Sequence, residues 1–378
     1  MDQSTLGIYV HLPFCPYICP YCDFAKWPMQ RSRASAYLTA LRTEISAAPG
    51  ASAATIFYGG GTPNAYDAQE IAALTDLLVL RFPSAAGREI SIELNPELVR
   101  DGDFATYAAA GIDRVSIGVQ SFDSAEIATL GRKHTPAEVG RAVSGARDAG
   151  IRSVSIDLIF AVPGQTPRSW ERSLDSALEL GADHISTYGL TIEDGTPFAR
   201  WHEREPAAFA DDALEAELYA LAIDRLEGAG YEHYEISNFA RPGHRCAHNQ
   251  NYWKNGEYLG FGVGAASYRD GERRLHTRDL RTYIAAASAG LPIPGEAERL
   301  CGIKAVGEAI MIALRTAQGV ALAEFKERYG VDVAERYAPV VARYVSDGLL
   351  ERTDDRIILT KRGRFFANDV CGAFVTFE

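Results

Sequence analysis

The feature that most constrains how this chain can fold is an alternation running through its first 190 residues. Short β-branched or apolar runs are each followed by a longer stretch of helical period. The strand candidates are Gly7–Leu12, Thr55–Tyr58, Glu89–Leu94, Arg114–Val119, Ser153–Phe160 and His184–Leu190. Helices are expected near Ala34–Ala47, Ala68–Arg81, Gly102–Ala110, Pro136–Ala149 and Pro167–Leu180. Gly111, Gly150 and Gly181 close three of these helices as C-caps before the next strand begins. Repeated β/α units of this kind form a parallel sheet with right-handed crossovers. Six units are too few for a closed eightfold barrel, so the expectation is an α/β fold built on an open, partial (β/α)6 barrel with a wide lateral mouth. In such a fold function gathers where strands end and loops begin.

Past Thr191 the pattern changes. Asp211–Gly230 reads as a long amphipathic helix, Tyr231–Trp253 is rich in Tyr, His and Asn, and Tyr258–Ser267 is rich in Gly. From Arg299 onward helices are expected at Arg299–Arg315, Ala321–Tyr329 and Val333–Asp347, then a short strand, Arg356–Leu359. That order is similar to a winged helix, a small α+β unit. The organisation expected is therefore a barrel over residues 1–230, a connecting segment over 231–298 and a C-terminal unit over 299–378. A winged helix often binds DNA, but the formal net charge of −12 supplies no general basic face for phosphates, so no nucleic-acid partner is expected. The first residues lack the basic and apolar regions of a secretory signal, and no apolar run reaches the roughly 18 residues of a membrane span. The expectation is a cytoplasmic protein, with room left for peripheral membrane contact and for a homodimer.

Three of the six cysteines stand in one short segment, Cys15-Pro-Tyr-Ile-Cys19-Pro-Tyr-Cys22. Three thiolates on a turn can hold three corners of an iron–sulfur cluster and leave the fourth iron open to a ligand that is not protein. A structural zinc site would have to recruit His11 or the distant Cys246 as its fourth ligand. The scattered Cys301 and Cys371 are expected to be buried small hydrophobes, and nothing suggests a disulfide framework. Asp157 lies inside an apolar strand and should need a polar partner there. His11, beside the cysteine segment, is expected to brace the first strand.

The spacing Cys-x3-Cys-x2-Cys with Tyr21 before its last cysteine, preceded by Ile8–Phe14 and followed by Tyr58-Gly59-Gly60-Gly61-Thr62-Pro63, resembles the HemN/HemW branch of the radical S-adenosylmethionine (SAM) enzymes. The resemblance implies a [4Fe-4S] cluster on Cys15, Cys19 and Cys22, with SAM on its open iron. It implies SAM contacts from Tyr9, Gly60, Gly61, Thr62, Glu93, Gln120, Arg132 and Asp157. In this reading Arg132 offers a planar fork to the methionyl carboxylate, Glu93 accepts from the ammonium or ribose, and Asp157 suits a pair of hydroxyls. Two departures separate the chain from the oxidase members of the branch: Phe24 stands where they carry a further cysteine, and only fourteen residues precede Cys15. His248-Asn249-Gln250-Asn251-Tyr252-Trp253 matches a motif of the heme-chaperone members and makes His248 the expected heme ligand, with His244 and Cys246 as rivals. The function implied is a heme chaperone that binds the cluster, SAM and heme and delivers heme to apo-hemoproteins. The alternative is oxygen-independent coproporphyrinogen III oxidation.

Overall fold

The computed structural model describes residues 6–84 and 87–375. Its centre is a run of parallel strands: β1 (Leu6–Leu12), β2 (Ala53–Gly60), β3 (Glu89–Leu94), β4 (Arg114–Gln120), β5 (Ser153–Phe160) and β6 (His184–Gly189). These are the six strands expected, two with identical bounds. They form as strands because their residues are β-branched or aliphatic and both faces are covered; seven of eight residues of β5 are buried. The helices Arg31–Ala47, Ala68–Arg81, Asp103–Ala109, Pro136–Asp148 and Pro167–Glu179 fill the crossovers. Two of them start at a threonine cap followed by proline, Thr135-Pro136 and Thr166-Pro167, each with a reciprocal capping box. Gly111, Gly150 and Gly181 adopt the left-handed conformation of a C-cap.

The segment 231–298 proves to be more than a connection. It supplies β7 (Glu232–Glu235), β8 (Asn238–Ala240), β9 (Tyr258–Phe261), β10 (Ala266–Arg269), β11 (Glu272–His276) and β12 (Gly295–Arg299), which extend the same sheet at both edges. The strand order is β12-β11-β10-β9-β1-β2-β3-β4-β5-β6-β8-β7. β9 runs parallel to β1, so the parallel run has a seventh member, and the strands beyond it are antiparallel. These strands carry little apolar alternation, and every residue of β12 is exposed, so pattern alone does not reveal them.

The C-terminal unit has its own core, with Ile310, Leu314, Val320, Tyr337, Ile357, Val370 and Phe374 buried together. Truncating one of these aliphatic side chains to Ala should cost about 2–5 kcal/mol. Its antiparallel sheet orders β13 (Val320–Ala321), β15 (Arg356–Leu359) and β14 (Leu350–Arg352). The helix expected over Val333–Asp347 is split at Tyr337, because Pro339 lacks the amide a continuous helix would use. Backbone bonds from Ile236 N to Arg315 O (3.1 Å) and from Ala317 N to Tyr234 O (3.0 Å) tie the unit to the edge of the main sheet. Cys371 is buried as expected. Cys301 is exposed, because it precedes the helix Gly302–Leu314 outside the packed core.

Candidate cluster and cofactor site

The cysteine segment is an excursion with a fixed neck. Phe14–Cys15 pairs with Trp27–Pro28, and backbone bonds from Trp27 N to Pro13 O and from Met29 N to Cys15 O (both 2.8 Å) close its base. The glycine turn at the end of β2 packs against that neck, through Gly61 N to Leu12 O (2.9 Å) and Thr62 N to Phe14 O (3.2 Å). Sequence identity matters here. A Cβ on Gly61 would stand 2.6 Å from the Pro13 carbonyl carbon, and one on Gly60, whose φ is 105°, would meet the His11 ring at 2.4 Å. His11 does brace this region: Nε2 donates to Ala25 O at 2.7 Å, which leaves Nδ1 to accept from Tyr9 Oη at 3.0 Å.

A cavity of about 410 Å³ opens at the ends of the parallel strands. It is lined by Cys15, Cys19 and Cys22 and by Gly60, Gly61, Thr62, Glu93, Gln120, Arg132 and Asp157, so seven of the eight residues expected to contact SAM surround it with the thiols. Tyr9 does not line this cavity; it faces a neighbouring one. Burial pushes the Cys15 thiol up to about 11, and it raises Cys22 as well, so in the absence of a cation both are held as thiols. Among the described residues no three His, Cys, Asp or Glu side chains converge closely enough to hold a single metal ion. The three thiols line one cavity, as the three protein corners of a multi-iron cluster would require.

The polar groups are arranged by charge. Arg132 is buried, and its Nη2 donates to Gly118 O (2.5 Å) and Asn95 Oδ1 (2.9 Å) while Nη1 lies 3.9 Å from Cys19 Sγ. Its Nε has no partner among the described residues, and none of these three acceptors is a carboxylate. Glu93 accepts from Gly60 N at 3.2 Å; burial, reinforced by Asp157, raises its carboxyl to about 7. Asp157 has the partners its position requires. Ser116 donates to it at 2.8 and 2.9 Å, Ser186 at 2.8 Å and Ser155 at 3.3 Å, and these bonds oppose the upward push of burial. Gln120 ends β4 at φ 66°, in the left-handed region, where a bulge opposite Asp157 and Leu158 breaks the ladder.

Sequence reasoning missed Asn95, which orients Arg132, and the serine ring around Asp157. The serines come from two adjacent levels of the sheet, Ser116 paired with Ser155 and Ser186 paired with Asp157 itself, a placement that only strand register gives. His248, the expected heme ligand, lies in the interior of the fold. That side chain is 1% exposed, stacks on Phe57 at 5.1 Å, and has Nδ1 bonded to Thr55 Oγ1 (2.7 Å) and Nε2 to Tyr252 Oη (2.8 Å). With both nitrogens engaged it braces the helix Ala247–Trp253 against β2. The rival Cys246 is also buried, against Glu89, and neither it nor His244 lines the two cavities described here.

An open parallel sheet that gathers three loop thiols, a glycine turn, a buried guanidinium and two strand-borne carboxylates defines a radical SAM protein. Residues 9–177 match the Radical SAM superfamily and residues 303–366 the HemN C-terminal domain. The chain belongs to the HemW family. It is 34% identical to the heme chaperone HemW of Bacillus subtilis, over 97% of this chain and 98% of that relative. It is 38% identical to the heme chaperone HemW of Mycobacterium tuberculosis, over 98% and 95%. Its fold is similar to that of the coproporphyrinogen III oxidase HemN from Escherichia coli, a radical SAM enzyme, with TM-score 0.85 and 25% identity over 100% of this chain and 92% of that one. The superfamily implies a [4Fe-4S] cluster and SAM. No helix of the described residues is long and apolar enough to cross a membrane.

Proposed function

We propose that this chain is a heme carrier: it binds a [4Fe-4S] cluster on Cys15, Cys19 and Cys22, SAM beside the cluster, and heme, which it delivers to apo-hemoproteins. The observation that carries the reading is the full-length similarity to curated heme chaperones at 34–38% identity, joined to Phe24 in place of a further cysteine. When bound, the cluster supplies one electron to a SAM sulfonium and an open iron for its amine and carboxylate. The chain's own residues do the holding. Arg132, buried beside Cys19, offers its guanidinium to the methionyl carboxylate. Glu93, ionised, takes the ammonium; Asp157 accepts from ribose hydroxyls; the Gly60-Gly61-Thr62 backbone lets the ligand approach. Exposed Ile18 and Phe24 on the cysteine segment give a receiving protein an apolar approach to this face.

A second reading, oxidative decarboxylation of coproporphyrinogen III, is favoured by the similarity of fold to HemN. The test is anaerobic reconstitution with iron and sulfide, then incubation with heme or with coproporphyrinogen III, SAM and a reductant. The expected outcome is heme retained and passed to an apo-hemoprotein while the porphyrinogen is recovered intact. Loss of two carboxyl groups from the porphyrinogen would replace the carrier reading with the oxidase.

A further inference from the structure

Next to the cluster cavity lies a second one of about 540 Å³, within the range of roughly 300–1,000 Å³ common for small-molecule sites. The two share Phe24, Gly60 and Glu93 as a common wall. The second cavity is richer in aromatic side chains and poorer in carboxylates than the first. Tyr252, Trp253, Tyr258 and Tyr268 line it, and Arg273 and Arg278 add two guanidiniums. Sheet register accounts for part of this: Tyr258 pairs with Tyr268, and Tyr268 with Arg273, so the three side chains form one row across β9, β10 and β11 on a single face. The Tyr252 ring stands at 84° to that of Tyr258, with centroids 4.7 Å apart, which makes an aromatic corner. Arg273 is oriented by Glu308 (2.9 Å) on the helix Gly302–Leu314, and Ile312 of that helix closes the cavity. Arg278 reaches across to the carbonyl of Asp23 in the cysteine segment (2.7 Å).

The one imidazole of the lining, His11, has both nitrogens engaged, and no cysteine or methionine lines the cavity. We propose that this second cavity is the tetrapyrrole seat of the chain, and that it holds the ligand by its macrocycle and propionates instead of by an iron–histidine bond. The proposal rests on the heme-carrier reading and deepens it. A flat, apolar ring with two carboxylates on one edge matches an aromatic corner flanked by two guanidiniums. A recognition mode blind to iron follows.

The test uses the full chain with its cluster reconstituted. Tryptophan fluorescence is titrated with hemin, with metal-free protoporphyrin IX and with the dimethyl ester of protoporphyrin IX. Hemin and protoporphyrin IX should compete for one site with similar affinity. Arg278→Gln, at a half-exposed position, should weaken both by about tenfold, the scale of one charged hydrogen bond. The ester should already bind that much more weakly, and Arg278→Gln should weaken it no further. Tyr268→Ala should weaken all three by about three- to tenfold through lost ring contact. Protoporphyrin IX failing to displace hemin, or Arg278→Gln affecting acid and ester alike, would overturn the proposal while leaving the heme carrier intact. Absence of binding by every tetrapyrrole would overturn both.

Discussion

The two adjacent cavities are built by different means. The first collects residues from the ends of successive parallel strands and from the loop after β1, so its members recur along the chain from Cys15 to Glu193. The second is assembled from β1, the cysteine segment, the helix Ala247–Trp253, the strands β9–β11 and one helix of the C-terminal unit. One gathers three thiols, a glycine turn, a buried guanidinium and carboxylates. The other is a ring of aromatic side chains with cations among them. The difference teaches that the barrel rim is made for a small, charged ligand, while the later segments add a wall for a large, flat one against the same rim.

That contrast breaks if one change disables both cavities. Cys19→Ala should abolish nearly all cluster incorporation, read as iron and sulfide content after reconstitution, because a multi-iron cluster needs all three thiolates. Tetrapyrrole binding should persist, since Cys19 lines only the first cavity. Arg132→Ala should weaken SAM by about 1.5–3 kcal/mol, roughly 10- to 150-fold in equilibrium dialysis. Hemin affinity should be unaffected.

Glu93 sharpens the comparison because it stands in the shared wall. Its carboxyl is raised from 4.5 to about 7. As a carboxyl whose folded value exceeds the unfolded one, it contributes stability fully below about 4.5 that is lost as pH rises through about 7. Glu44 and Glu235, raised to about 7 by burial, act in the same direction. The thermal midpoint of the cluster-free wild type should therefore lose ground to that of Glu93→Gln as pH rises from about 5 to about 8, whereas the buried histidines, lowered by desolvation, act in the opposite direction and equally in both. SAM affinity should run the opposite way in the wild type, rising as Glu93 ionises to meet the ammonium, and should be nearly flat with pH in Glu93→Gln. The smallest effect on either ligand is expected from His248→Ala. Loss of its two buried hydrogen bonds should lower stability by about 1–3 kcal/mol in denaturant unfolding, with hemin affinity little changed. A selective loss of hemin binding would return His248 to the role its motif suggested.

The sequence by itself determined the parallel strands, the thiol loop and the rim residues. Each is a local statement: a strand is a short apolar run, a cluster loop is a spacing, and a strand-end residue lands at the rim wherever the β/α period holds. Asp157 shows how far this goes, since a carboxylate inside an apolar strand demanded partners and has three serines. Tertiary structure decided the rest. The strands β9–β12 have no periodic signature, because successive pairing outward from β1, with β9 on β1 and each later strand on the one before, defines them and not a buried face of their own. The surroundings of His248 were hidden for the same reason: its motif gives the residue types but not that Thr55, on a strand 193 positions earlier, would bond its Nδ1. Nor could spacing show that Tyr258, Tyr268, Arg273 and Arg278 would face Tyr9 and Phe24 across one cavity. Local chemistry follows from neighbours in sequence, whereas a cavity follows from surfaces that meet only after the chain has folded.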